Sequence, residues 1–290
     1  MNPDILHIQR LRSLDYWRGE VAISRLSGGI TNHNYLVENG SQSFVARLCE
    51  ERPLLGIDRR NEIVCHKAAM TADIAPEVVH HEPGLLVSRF QPGKTLAAAD
   101  VRRDSVLDRL GIVLRRLHDS WDSLSGEMLY FCPFQTIRTY ARSARALQAT
   151  LPAGLDELLE DARMLSRRIR PFRPVLCHND LLPANLIDDD VRIWVIDWEY
   201  AGIGHPLFDL ANVCAAADLS PDHERRLLLA YRGEVVPSEL KELRILRAAS
   251  ALRDALWGVI QTVASDIEYD YQGYADENLR LYRESRAAFQ

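Results

Sequence analysis

The chain has 290 residues, of which 47% are hydrophobic and 26% charged, enough apolar content for sizeable cores and more length than a single core usually organises. A formal net charge of −6 and a pI near 5.9 argue against nucleic acid or an anionic membrane surface as the main partner, because both select a basic face. Five cysteines (Cys49, Cys65, Cys132, Cys177, Cys214) without CxxC or Cys/His ligand spacing read as reduced core thiols, and charges run through the first twenty residues with no apolar stretch of about 18 residues anywhere, so a cytoplasmic protein without membrane insertion is expected.

Val21 to Leu26 reads as a strand, Ser27 to Asn32 as a turn and Asn34 to Glu38 as the return strand. Glycines let backbone N–H groups approach a phosphate, and Thr31 and Asn32 add donors at the same tip. Gly28, Gly29, Thr31 and Asn32 are therefore candidates for cradling a nucleotide; the plainer reading is an ordinary hairpin turn. After a second turn at Asn39-Gly40, Ser43 to Leu48 forms a strand that carries Arg47, the candidate cation over the phosphates. A guanidinium there forks two phosphate oxygens and stays charged. A helix from about Asp58 puts Glu62 in its early turns, where it either pairs with Arg47 or faces solvent. Leu85 to Phe90 reads as a buried strand and Gln91-Pro92-Gly93-Lys94 as a break. The hinge is placed near residues 88 to 95, giving a nucleotide-binding lobe over 1–90 and a catalytic, substrate-binding lobe over 91–290.

From Thr95 the pattern turns helical. Val106, Leu110, Val113, Leu114 and Leu117 recur at three- and four-residue spacings, and further helices are expected around 136 to 150 and 154 to 170. His118 ends the first of these as a packed or capping residue. Pro174 to Cys177 is an apolar strand followed by His178-Asn179-Asp180 and, five residues after Asp180, by Asn185. A second strand, Arg192 to Asp197, ends on a carboxylate. Transfer of a phosphoryl group needs one carboxylate to hold the acceptor hydroxyl and take its proton, and an amide oxygen and a second carboxylate to ligate Mg²⁺ beside the phosphates. Asp180, Asn185 and Asp197 supply that set. A lone HxD is common, since Asp and Asn also serve turns and caps. The joint pattern, each part in its expected strand or loop context, points to ATP- and Mg²⁺-dependent phosphoryl transfer. A nucleotide-binding module without catalysis would lack one of the three. Pro206 opens a helix whose Asp209 is expected to accept backbone N–H bonds from the catalytic loop.

The last third is dense in aromatic and acidic groups, in LRDALWGVIQ (252–261) and IEYDYQGY (267–274). On a helix Asp254, Trp257 and Gln261 share one face. Trp257 with Tyr200, Tyr269 and Tyr274 can enclose a quaternary ammonium through the ring quadrupoles, although each ring taken singly also reads as core packing. The neighbouring carboxylates favour a cationic substrate.

With these residues in view the chain resembles the choline/ethanolamine kinase family, within the aminoglycoside-phosphotransferase-like group of small-molecule kinases. GGITNHNY resembles the family's phosphate hairpin, HND with its later Asn the catalytic loop, IDWEYAG the metal strand, and ALWGVIQ with IEYDYQGY the choline-pocket helix. The resemblance implies an α+β, two-lobed protein-kinase-like fold, with a small antiparallel-sheet N-lobe, a mainly helical C-lobe and ATP between them. It implies Asp180 as base, Asn185 and Asp197 as Mg²⁺ ligands, Tyr200, Trp257, Tyr269 and Tyr274 as a choline cage, and transfer of the ATP γ-phosphoryl group to the hydroxyl of choline or ethanolamine, giving phosphocholine and ADP in the first case. Eukaryotic members have a tryptophan one turn before the position matched by Trp257; here it is Asp254, a carboxylate for either a trimethylammonium or a primary ammonium. Kinases of thiamine, aminoglycosides or homoserine would share the catalytic half. A homodimer is compatible with the sequence, and Glu199 and the first twenty residues have no assigned role.

Overall fold

The structure, a computed structural model, describes residues 3–26, 32–49, 51–120, 124–265 and 267–287. Its N-terminal part is a five-stranded antiparallel sheet of β1 (Ala22–Leu26), β2 (His33–Asn39), β3 (Gln42–Leu48), β4 (Val78–Glu82) and β5 (Leu85–Arg89), in the order β1-β2-β3-β5-β4. Two-residue periodicity sorts the side chains. Tyr35, Val37, Phe44, Ala46 and Val87 fill a small core on one face, which α1 (Pro3–Arg12) covers through Leu11. The other face presents Val45 and Arg47, paired in register with Ser88 and Leu86, to the interlobe cleft. Residues 3–20 thus close the back of this sheet, with Arg10 on Glu82 at 2.7 Å and the Trp17 indole donating to the Leu11 carbonyl at 2.6 Å.

Between β3 and β4 lies α2 (Arg59–Thr71), started by Asp58, whose carboxylate accepts from the amides of Arg60 and Asn61 at 2.9 Å. Its Cys65, Ala68 and Ala69 pack into the large core of the C-terminal part, so α2 ties the two parts together. The sheet ends at Arg89, and β6 (Lys94–Thr95) already pairs with β8 (Leu186–Asp188) of the C-terminal part. Gly93 makes that crossing possible. At φ 152° it passes so close that a Cβ would stand 2.7 Å from the Asp188 carbonyl oxygen.

The C-terminal part is helical around a few short strands: α3 (Ala98–Val101), α4 (Asp104–His118), α5 (Pro133–Ala146), α6 (Leu155–Ser166), β7 (Val175–Cys177), β9 (Ile193–Val195) after β8, β10 (Gly202–Gly204), α7 (Pro206–Ala216), α8 (Pro221–Arg232), α9 (Pro237–Ala264) and α10 (Tyr271–Ala287). Antiparallel pairs β8-β9 and β10-β7 frame the catalytic segment. The 28-residue α9 is buried on every side from Ala248 to Gln261, between α5, α7 and α10. Burial all round means that polar residues in that span are there for each other or for a ligand. The helices expected at 136–150 and 154–170 run over 133–146 and 155–166, because Pro133 starts α5 one residue after Cys132 and Gln148 turns to φ 54° beyond its end. No helix among the described residues is long and apolar enough to cross a membrane.

Candidate active site

His178-Asn179-Asp180 leaves β7 as a loop held by its own backbone. Both carboxylate oxygens of the fully buried Asp209 on α7 accept from it, Oδ2 from the His178 amide at 2.9 Å and Oδ1 from the Asn179 amide at 2.7 Å. His118, buried at the end of α4, bonds Asp209 at 3.1 Å and the Tyr231 hydroxyl at 2.9 Å. Asn179 sits at φ 64°, and its side-chain amide donates to the Tyr200 carbonyl at 3.0 Å. His178 Nδ1 accepts from the Asp180 amide at 3.2 Å, which leaves Nε2 to donate to the Ile196 carbonyl at 2.9 Å. Asn185 Nδ2 donates to the Asp180 carbonyl at 2.9 Å. The Asp180 peptide is therefore gripped on both sides, while burial pushes its carboxyl up to about 7 against the pull of Arg253.

The strand expected to end on Asp197 stops at Val195, and Asp197 stands beyond it at φ 65°. Asp197 and Asn185 line both cavities of the site. One, about 370 Å³, lies under the sheet between Leu26, Val45, Phe90, Ile187 and Ile196, with Arg47 at its polar end. Arg47 is buried and forms ion pairs with Glu62 and with Asp197 Oδ1. A flat apolar slot ending in a guanidinium, a carboxylate and an amide can take a base at one end and phosphates at the other. The residues suit Mg²⁺ as well. Asn185 spends its NH₂ on Asp180 and Asp197 spends Oδ1 on Arg47, so one hard oxygen of each remains for a cation.

The second cavity, about 260 Å³, is lined by Asp180, Tyr200, Arg253, Asp254, Trp257, Tyr269 and Tyr274. Every aromatic residue singled out in the sequence reaches it. Trp257 Nε1 donates to the Tyr200 hydroxyl at 3.0 Å, the Trp257 and Tyr274 rings meet edge to face at 5.6 Å, and Tyr269 forms the half-exposed rim. Asn34, Ala184, Asn185 and Asp197 line both cavities, and Asp180 lines the second.

Several placements differ from expectation. Asn32 lines the second cavity and not the first, held there by two buried charges: its amide donates to Glu199 at 3.0 Å and its oxygen accepts from Arg59 at 3.1 Å. Glu199 is held by Asn32 and by Arg59 at 2.9 Å, linking the hairpin to the C-terminal part. Gln261 follows Trp257 by one turn but is buried away from both cavities. Asp254 is not open on all sides, since Arg253 holds its Oδ1. Gly28, Gly29 and Thr31 lie outside the described residues. Arg253 and Arg59 are functional-site residues that the sequence did not single out. The one available cue to Arg253 was a charged pair, Arg-Asp, inside an otherwise apolar helix.

Comparison with known proteins agrees with this geometry. The model of the phosphotransferase enzyme family matches residues 22–243. Protein LicA of Haemophilus influenzae is 28% identical over 87% of this chain and 76% of its own, and human ethanolamine kinase 2 is 27% identical over 92% and 76%. The crystal structure of a choline/ethanolamine kinase family protein from Mesorhizobium loti superposes with a TM-score of 0.79 at 27% identity, covering 98% of this chain and 94% of that one. The resemblance and the two-lobed, protein-kinase-like α+β fold read from the motifs are borne out. With more than half its length under that family's model, and the matched region carrying the catalytic loop, the chain belongs to the phosphotransferase enzyme family.

Proposed function

We propose that the protein is a kinase that transfers the γ-phosphoryl group of ATP to the hydroxyl of a small amino-alcohol, choline or ethanolamine, giving the phosphate monoester and ADP. The observation that carries this reading is the position of Asp180 in a pocket walled by four aromatic rings and carboxylates, a pocket that shares Asn185 and Asp197 with the slot ending in Arg47. Relatives named as choline and ethanolamine kinases support the same acceptor class.

Arg253 occupies Asp180 Oδ1 at 2.8 Å, which turns Oδ2 to the acceptor hydroxyl. Asp180 orients that oxygen in line with the γ-phosphorus and receives its proton as the O–P bond forms and the bond to ADP breaks. Arg47 binds phosphate oxygens and is itself braced by Glu62. Asn185 and Asp197 would hold Mg²⁺, which supplies charge neutralisation between the phosphates. Tyr200, Trp257, Tyr269 and Tyr274 hold the organic cation and keep water from the transferred group. The reading places the enzyme in the cytoplasm, where ATP is at hand.

The test is ADP release from Mg·ATP with choline, ethanolamine, thiamine and an aminoglycoside in parallel, with Asp180→Ala as the blank. Turnover on choline or ethanolamine, falling by about a thousandfold or more in the variant while nucleotide still binds, is the expected result. Turnover on thiamine or the aminoglycoside alone would overturn the acceptor assignment.

A further inference from the structure

We infer that Arg253 and Asp254 form a built-in ion pair that selects the acceptor. Asp254 receives an ammonium group that still carries N–H, so amino-alcohols with a primary or partly methylated nitrogen are preferred over quaternary ones. The inference rests on the kinase reading above and sharpens it from two acceptors to one class.

The geometry starts from a guanidinium that is 3% exposed in the middle of α9. Arg253 gives Nε and Nη2 to Asp254 Oδ1 at 2.7 and 2.5 Å, Nη2 also to Asp180 Oδ1 at 2.8 Å, and Nη1 to the Asn179 carbonyl at 2.6 Å. Each of the three guanidinium nitrogens of Arg253 is engaged, which fixes its plane. That plane lies over the Tyr200 ring, with Cζ 5.6 Å from the ring centre. The protein's own cation thus uses a ring face that an incoming trimethylammonium needs. A quaternary ammonium has no N–H and is held only by ring faces and diffuse charge.

Asp254 offers the complementary half. Its Oδ1 is taken by Arg253, whereas the donor that reaches Oδ2 among the described residues is the Ser250 hydroxyl at a long 3.5 Å. A carboxylate oxygen buried with so weak a donor is costly, and an N–H⁺ from the substrate removes that cost. With Asp197 paired to Arg47 and Glu199 to Arg59, the carboxylates of Asp180 and Asp254 still outnumber the guanidinium of Arg253 by one, so the pocket welcomes a monocation despite the arginine. Asp180 and Asp254, bridged by one guanidinium, both line the cavity, each with an oxygen that Arg253 does not hold, the first for the hydroxyl and the second for the nitrogen.

The test is a steady-state series with ethanolamine, N-methylethanolamine, N,N-dimethylethanolamine and choline, on the wild type and on Asp254→Asn. In the wild type kcat/KM is expected to drop by about tenfold or more between the last acceptor with an N–H and choline, the worth of one charge-assisted hydrogen bond, with the change mostly in KM because Asp254 is remote from the phosphoryl group. In Asp254→Asn the ratio of ethanolamine to choline contracts towards one, through loss on ethanolamine, while ADP affinity and the unfolding midpoint report an intact fold. A wild-type preference for choline, or an unchanged ratio in the variant, would overturn the inference and leave the kinase reading standing. Absence of turnover on all four acceptors overturns both. Should the variant not fold, the wild-type series decides alone.

Discussion

Asp209→Asn is the sharpest test of how the site is built. The side chain keeps its shape, but the carboxylate that accepts the His178 amide on one oxygen and the Asn179 amide on the other becomes a carboxamide with a single oxygen. One amide keeps an acceptor and the other faces an NH₂ group in a site with no exposed surface at Asp209. Losing one charged hydrogen bond and orphaning a buried donor together cost on the order of 3 kcal/mol. For a protein of this size that corresponds to a fall of roughly 6–12 °C in the thermal midpoint. The change should also show in turnover, since these two amides set the backbone from which Asp180 projects, and a misplacement of about 1 Å costs about a hundredfold. Thermal and urea unfolding give the first quantity and ADP release at saturating nucleotide gives the second, with nucleotide affinity little changed because Asp209 does not line the slot. A variant that unfolds with the wild type and turns over at its rate would refute the view that Asp209 holds the catalytic loop.

Two further outcomes follow from buried charges. Arg47→Lys replaces a fork that spans Glu62 and Asp197 with a single ammonium, so nucleotide affinity should fall by about tenfold and stability by about 1–3 kcal/mol, read by ADP titration and urea unfolding; unchanged affinity would remove Arg47 from the phosphate site. His66 is buried against the Pro76 carbonyl, and burial pushes its imidazole down to about 4 from the ordinary 6.5. Between those values the unfolded chain binds a proton that the folded one refuses, so this group makes stability rise with pH, by up to about 1.4 kcal/mol per pH unit, and acidification from 6.5 towards 4 removes it. Urea unfolding across that range should show a shallower slope in His66→Gln, and an identical slope would contradict the assignment.

What could be read from the chain beforehand was whatever is local. The HND loop, the Asn five residues on and the carboxylate after an apolar strand are spaced along the backbone, and the loop's geometry fixes where they fall. Asp209 was legible for a related reason: a carboxylate in the first turn of a helix that follows the loop has amides within reach. The N-terminal α1 escaped because its apolar stripe is weak, and its place comes from what the sheet leaves uncovered at Tyr35 and Val37, which Leu11 covers. Asn32 was assigned to phosphate from its place in a turn, but Arg59 and Glu199, distant in sequence, are what its amide meets.

Arg253 shows why the acceptor pocket is the hardest part to read in advance. Its partners Asn179 and Asp180 lie more than 70 residues earlier, and helical periodicity places it on a buried helix without saying what faces it. A buried arginine must find carboxylates or carbonyls, since an unpaired charge there would cost several kcal/mol. The neighbour in sequence, Asp254, satisfies half of that need and the proposed base satisfies the rest. The pair therefore does two things through one set of hydrogen bonds: it holds Asp180 in place, and it replaces part of an aromatic surface by an oriented acceptor. Orientation of the base and choice of the substrate nitrogen are coupled in this chain, so substitution at Arg253 should move both kcat and acceptor preference, whereas substitution at Asp254 should move preference first.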